Sequence, residues 1–359
     1  MTQHSDQAIV AAYDAQGRLV LEERALPALQ DGEVRLAVDA CGICGSDLHA
    51  YDAGWLAVGE VPGHETAGTV VECGSGVTDA AVGDRIAIHP LIPCRECDFC
   101  VAGLDNVCSR MRNARGGFSS QMILPAGTRK FRIPESIDIT IGAMLEPLGV
   151  AVRAANLAPV SADTPCLVTG LGAIGQCVVR VLRARGVRQV VAVDVVKPKL
   201  ELARTVGAVG LNAEEVDVAR ELTERFGGGT HKGYEYANVP VAIDCSGAPS
   251  VIANSVRSYL MPSGTLVVAA LFEHELTFDL NPLVRKEINL KGSYSANEEA
   301  LEQAYALLTS GAVRLDDLLG DMFSLEHIDE VFRDPSKRAG AVKVVVVPGG
   351  GTPKVTFGP

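Results

Sequence analysis

Short apolar runs broken by glycine and proline fill roughly the first 150 residues. The spans 33–40, 67–72 and 85–88 set β-branched and aliphatic residues between turn formers, which predicts short strands in an all-β, barrel-like unit. The pattern lapses over 92–111, a cysteine-rich loop with little apolar periodicity. After Asn156 the period changes. Residues 166–169 read as an apolar strand and 170–175 as a glycine-rich turn. Residues 174–185 read as a helix with Ile174, Val178, Val181 and Leu182 on one face. A β-branched strand at 189–195, a helix at 199–206 and further strands at 241–245, 264–270 and 288–292 follow. Strands alternating with helices predict a parallel, doubly wound α/β sheet. A helix at 298–310 and a strand at 341–347 close the pattern, and that strand can rejoin the N-terminal unit. The expected division is therefore residues 1–155 with 293–359 as one domain, and 156–292 inserted as the other. Residues 348–359, rich in glycine and proline, read as a loose tail.

A length of 359 residues fits this two-domain division. Hydrophobic residues make up 47% and charged residues 21%, so the chain can build its cores without crosslinks. The net charge of −12 argues against nucleic acid or an anionic membrane as partner, since both attract basic surfaces. Residues 1–7 are polar and lack the features of a secretory signal. The longest apolar stretches, such as 266–272, fall far short of the roughly 18 residues of a membrane span. A cytoplasmic protein is expected, and its ten cysteines are then not a disulfide framework.

Four of those cysteines, Cys94-x2-Cys97-x2-Cys100-x7-Cys108, share one short loop. Four thiolates at this spacing can close a tetrahedral zinc site with no position open for chemistry. The bacterial iron–sulfur run has a shorter last spacing followed by proline, so zinc is favoured. The remaining Cys41, Cys73, Cys166, Cys177 and Cys245 are expected to be buried apolar residues.

Gly170-Leu171-Gly172-Ala173-Ile174-Gly175 lies between a predicted strand and a predicted helix, and Asp194 closes the next strand 19 residues on. The glycines allow a tight turn, approach of a pyrophosphate to the helix N-terminus, and close helix–sheet packing. A carboxylate at Asp194 accepts from ribose hydroxyls and repels a 2′-phosphate, so NAD is expected over NADP.

Nearer the N-terminus, Gly42-Ile43-Cys44-Gly45-Ser46-Asp47-Leu48-His49 precedes Gly63-His64-Glu65. Cys44 and His64 are good zinc ligands, and Glu65 can be a third ligand or can support one. Glu146, in Leu145-Glu146-Pro147-Leu148, is a fourth candidate. Ser46, two residues from a ligand, can stand beside a reacting oxygen, and His49, three further on, can pass a proton to solvent. Tyr51, Trp55, Phe118 and Tyr294 are candidate pocket walls.

These motifs, in this order, make the chain similar to the zinc-containing medium-chain dehydrogenases of the alcohol dehydrogenase superfamily over residues 8–348. It most resembles their polyol branch of sorbitol, threonine and butanediol dehydrogenases. The resemblance implies a GroES-like catalytic domain and a Rossmann domain. It also implies two zinc ions per chain, with Cys44, His64, Glu65 and Glu146 at the catalytic one and Cys94, Cys97, Cys100 and Cys108 at the structural one. Asp47 matches a residue that orients the ligand histidine, and Ser46 and His49 match a proton relay through the nicotinamide ribose. In the polyol branch Glu65 ligates directly, and Glu146 binds the metal or its water. The implied reaction is reversible, NAD-linked oxidation of a small secondary alcohol, polyol or cyclitol to a ketone by a homodimer or homotetramer. Edge pairing of Rossmann sheets is one mode of assembly, with 264–270 as a candidate edge. A departure is Gly292-Ser293-Tyr294-Ser295, where polyol enzymes often carry an arginine beside the substrate. Competing readings are a primary-alcohol or aldehyde oxidoreductase on the same fold, a non-catalytic NAD-binding structural protein, and a metal-storage or redox-sensing protein. The intact ligands oppose the second of these, and the dinucleotide motif opposes the third.

Overall fold

The computed structural model describes residues 7–272, 275–338 and 341–349. Most of the expected polar start and of the expected loose tail lies outside the described residues. The chain divides into two compact units, residues 1–146 with 315–359, and residues 147–314.

The first unit is built on a seven-stranded sheet. Its centre is Val34–Gly42, whose alternating apolar residues pair antiparallel with Glu65–Cys73 along their length. The same strand also pairs with Gln121–Leu124 at its start and with Lys343–Val346 at its end. The C-terminal apolar strand thus joins the N-terminal sheet, as its sequence suggests. Register shifts at Arg35/Leu36 and Val38/Ala40 interrupt the ladder, the local device by which a sheet curves. Phe118, Leu36, Ile86, Ile88 and Phe332 fill the interior. Tyr13, Tyr51, Phe332 and Phe118 form a chain of edge-to-face rings with centroids 5.8, 5.3 and 5.7 Å apart. Tyr51 and Phe118 are therefore core packing groups and not the pocket walls expected from sequence. The Tyr51 hydroxyl donates to Asp329 Oδ1 at 3.0 Å, which ties the Gly45–Asp52 helix to the C-terminal part of the unit.

The second unit is a six-stranded parallel sheet. Its order is Val209–Asn212, Val190–Asp194, Cys166–Thr169, Val239–Asp244, Leu260–Val268, Asn289–Gly292. This is the doubly wound order in which the first strand is central and the chain reverses direction beside it. Burial is complete at the centre, where Cys166, Leu167 and Val168 are all inaccessible. The expected edge strand at 264–270 belongs to Leu260–Val268, which has partners on both sides; the two edges are Val209–Asn212 and Asn289–Gly292, the latter exposed at all four residues. Residues 293–314 fall in this unit and not with the first. The Glu298–Thr309 helix packs on the Leu145–Leu157 helix so closely that a Cβ on Gly149 would lie 2.7 Å from Leu301. A hairpin absent from the sequence-based expectation joins Gly228–His231 to Tyr234–Ala237; Lys232 and Gly233, both at positive φ, make its turn.

Of the non-motif cysteines, Cys41, Cys166 and Cys177 are buried, while Cys73 and Cys245 are half-buried. No helix among the described residues is long and apolar enough to cross a membrane.

Candidate functional site

In the first unit, sheet and helix ends bring three of the expected ligands together. Cys44 sits in extended backbone at the N-cap of the Gly45–Asp52 helix, directly after the central strand. Glu65 opens the next strand, opposite Gly42. His64 precedes it, after a glycine at φ +94°. A side chain on Gly63 would meet the Phe118 backbone nitrogen at 2.8 Å and Cys41 Sγ at 2.9 Å, so the bend that delivers His64 requires glycine. One ligand atom from each of Cys44, His64 and Glu65 lies within 4.8 Å of the others. Small movements would bring a sulfur, a nitrogen and an oxygen to the roughly 2.0–2.3 Å that zinc requires, so this donor set fits the metal.

Two buried charges hold the ligands. Asp47, 6% exposed, accepts from the Cys44 backbone N–H through Oδ2 at 3.1 Å and contacts His64 Nδ1 through Oδ1 at 3.2 Å. With the proton on Nδ1, the ring presents Nε2 as its acceptor, the arrangement a metal-binding histidine needs. Burial alone would pull the His64 pKa down; the Asp47 carboxylate outweighs it and holds it well above the ordinary imidazole value. Burial also opposes ionisation of Asp47, yet His64 and the Cys44 N–H hold its carboxyl below the usual range.

The second charge was not foreseen from sequence. Lys343, 4% exposed, donates to both Glu65 oxygens at 2.6 Å and to the Ile43 carbonyl at 3.0 Å. A carboxylate offers about four lone-pair positions, so Glu65 can serve Lys343 and a metal together. Burial lowers the lysine pKa, but Glu65 reverses that and keeps it raised. Glu146 stands outside the three-ligand set, though it lies within the fields of His64, Glu65 and Lys343. It is 7% exposed, and burial pushes its carboxyl up to about 7. Ser46 is exposed on the first turn of the Gly45–Asp52 helix, and His49 is half-buried on its last. Trp55 is largely exposed in this unit, as Tyr294 is in the other.

The cysteine loop closes on itself. Sulfur–sulfur distances of 3.5 Å (Cys97–Cys100), 3.8 Å (Cys97–Cys108) and 3.9 Å (Cys94–Cys100) match the edge of about 3.8 Å set by four thiolates about 2.3 Å from one zinc. None of the four is in a disulfide. Backbone N–H groups of Cys94 and Arg110 point at Cys108 Sγ, both at 3.3 Å, and that of Cys97 points at Cys94 Sγ at 3.4 Å. Such donors suit thiolates. N–H groups at Cys100 and Ser109 lower the Cys97 thiol to about 5.

In the second unit the glycine turn joins the central strand to the Ala173–Ala184 helix. Gly172 is the N-cap, no side chain caps the helix, and a Cβ on Gly172 would meet nothing within 4 Å. The helix N-terminus is thus uncapped by any side chain and unobstructed at Gly172, as a pyrophosphate site requires. Gly175 packs against the Gly170 carbonyl, which leaves no room for a side chain. Asp194 Oδ2 accepts from Leu171 N at 2.6 Å, and its Oδ1 accepts from Val195 N and Val196 N at 2.8 and 2.9 Å. One lone pair of Oδ2 remains for a ribose hydroxyl. Sequence reasoning missed Asp244. This fully buried residue accepts from Thr169 Oγ1 at 2.8 Å and Ser246 Oγ at 2.6 Å, locking the strand ends beside the turn.

Comparison with known proteins matches residues 30–135 to the alcohol dehydrogenase GroES-like domain and residues 173–310 to the zinc-binding dehydrogenase domain. The chain is 32% identical over 345 residues to the probable D-xylulose reductase A of Emericella nidulans, covering 92% of this chain and 94% of that one. Among solved structures, 2R,3R-butanediol dehydrogenase from Bacillus subtilis aligns with TM-score 0.82 and 28% identity, covering 95% of this chain and 99% of that one. A chain from Sinorhizobium meliloti, described as a zinc-binding dehydrogenase bound to NADP, aligns with TM-score 0.84 and 27% identity, covering 96% and 100%.

Proposed function

The chain belongs to the zinc-containing medium-chain dehydrogenases, in their polyol branch, and on that premise we propose that it oxidises a small secondary alcohol, polyol or cyclitol to the ketone, reversibly and with NAD. The observation that carries this reading is the convergence of Cys44, His64 and Glu65 within 4.8 Å, braced by Asp47 and Lys343. These three residues hold the catalytic zinc, with Glu146 beside them; Cys94, Cys97, Cys100 and Cys108 hold a second, structural zinc. Bound at these sites, zinc supplies Lewis acidity toward an alcohol oxygen and the nicotinamide supplies a hydride acceptor.

The chain's own groups do the rest. Asp47 fixes the tautomer and ring plane of His64. Lys343 holds Glu65 in place and balances its buried charge. Ser46 Oγ accepts the proton that leaves the alcohol as its own hydroxyl proton passes on by way of the nicotinamide ribose, and His49 releases a proton to solvent. Gly172, Ala173, Ile174 and Gly175 bind the pyrophosphate through backbone N–H groups, and Gly170, whose own N–H donates to the Val193 carbonyl at 2.9 Å, makes the turn that presents them. Asp194 binds the adenosine ribose and disfavours a 2′-phosphate. The absence of an arginine from Gly292 to Ser295 opens the substrate class beyond sorbitol. The exposed edge Asn289–Gly292, with Leu290 and nearby Val284 also exposed, supports assembly as a homodimer through that strand.

The test is NAD reduction by zinc-replete enzyme across secondary alcohols, polyols, cyclitols and primary alcohols. Turnover confined to secondary carbinols supports the proposal. Preference for primary alcohols would replace it with the alcohol–aldehyde reading.

A further inference from the structure

A cavity of about 430 Å³ in the second unit has no part in the chemistry above. It lies where the Leu145–Leu157 and Ala173–Ala184 helices end and the Glu298–Thr309 helix begins. The glycine turn opens the Ala173–Ala184 helix, and the cavity lies just past its other end. Twelve residues at about 1.5 Å each separate the two by roughly 18 Å.

Two arginines line it, and neither forms an ion pair among the described residues. Arg153 Nε is buried with no hydrogen-bond partner. Arg185 spends Nη2 on two neutral oxygens, Asn156 Oδ1 at 2.6 Å and Gln303 Oε1 at 3.1 Å. Arg185 is exposed at the helix end, and no carboxylate is paired with it among the described residues. A buried guanidinium nitrogen is ordinarily matched by an acceptor, and Arg153 Nε has none within the protein. This chain carries 44 acidic residues against 32 basic ones, so two unmatched guanidiniums in one cavity do not reflect a shortage of acids. One acid, Glu299, also lines the cavity, and it accepts from Gln303 Nε2 at 3.1 Å. The guanidiniums offer donors, and Glu299, joined to Arg185 through Gln303, offers an acceptor, a lining suited to a ligand with an oxyanion head and a hydroxyl.

We propose that this cavity binds a small hydroxylated oxyanion, its phosphate or carboxylate head between Arg153 and Arg185 and a hydroxyl at Glu299 and Gln303. The site is separate from the dinucleotide turn and independent of the alcohol assignment.

The test uses the full chain, zinc-replete and saturated with NADH, so that the dinucleotide turn is filled and the alcohol groups of the probes cannot be oxidised. Glycerol 3-phosphate and, separately, glycerate are titrated calorimetrically at fixed ionic strength into wild type, Arg153→Gln and Arg185→Gln. The expected result is saturable binding of one probe per chain, a saturable rise in the thermal midpoint, and at least about tenfold weaker binding in each variant. Tighter binding of glycerol 3-phosphate identifies the head group as phosphate, and tighter binding of glycerate identifies it as carboxylate. Should Arg153→Gln not fold, Arg185→Gln decides, because Arg185 is exposed at the helix end. No binding of either probe to wild type at millimolar concentration, or equal affinity in wild type and Arg185→Gln, would overturn the proposal.

Discussion

Replacing Lys343 with methionine tests how the ligand cluster is held. At 2.6 Å, the attraction between Lys343 and Glu65 is about 6 kcal/mol at an effective dielectric of about 20. Desolvating the two charges costs several kcal/mol each, so the intact pair contributes little net stability. Removing one partner is different, because Glu65, 1% exposed, is then left in a dry site with its partner gone. The expected loss is about 4 kcal/mol in zinc-free protein, or roughly 10 °C in the midpoint of a unit of this size. Zinc restores a positive charge beside Glu65, so the loss should shrink in loaded protein. The assay is thermal and urea unfolding of wild type, Lys343→Met, Glu65→Gln and the double variant, with and without zinc. Lys343→Arg, which keeps the charge, should recover most of the loss. The reasoning is refuted if zinc-free Lys343→Met lies within about 0.5 kcal/mol of wild type, as ordinary surface changes do. It is equally refuted if the double variant shows the plain sum of the single losses.

Asp47→Asn should lower zinc affinity at the Cys44 site or turnover by about 10–100-fold, since the amide no longer fixes the His64 ring; metal content and kcat report it. Asp194→Gly should cut the preference for NAD over NADP at least about tenfold, read as the ratio of the two kcat/KM values. The same variant should lower thermal stability, because three backbone N–H groups lose their acceptor. Lys286 is buried, donates to the Leu260 carbonyl at 2.7 Å, and is held down to about 8 by burial. Between pH 8 and 10.5 the unfolded chain therefore binds more protons than the folded one, and stability should rise with pH across that window. That rise, about 3 kcal/mol at most, should be missing from Lys286→Met in urea titrations.

What the sequence revealed of the site is what lies close together in the chain. The four loop cysteines and the Gly170–Gly175 turn carry their geometry in their spacing, and the structure builds both where expected. Cys44 and His64 were legible as ligand-type residues within the short runs Gly42–His49 and Gly63–Glu65. Lys343 was not, because it meets Glu65 across 278 residues and sits in an otherwise apolar strand. Tyr51 and Phe118 look like wall residues in one dimension, yet their rings stack into the interior of the first unit. The edge strand was misplaced for a related reason. Asn289–Gly292 is short and exposed, so it carries a weaker strand signal than Leu260–Val268, whose strong apolar character comes from lying inside the sheet. The Leu145–Leu157 helix is masked in the sequence by a proline near its start, although proline is well tolerated in the first turn.

The most direct test of the central claim follows the hydrogen itself. A secondary alcohol deuterated at the carbinol carbon is supplied with NAD to zinc-replete wild type and to Cys44→Ser with its cysteine-loop zinc retained. The account requires one deuterium in the reduced nicotinamide from wild type and none from Cys44→Ser. Reduced cofactor without deuterium, or equal transfer by Cys44→Ser, would contradict it.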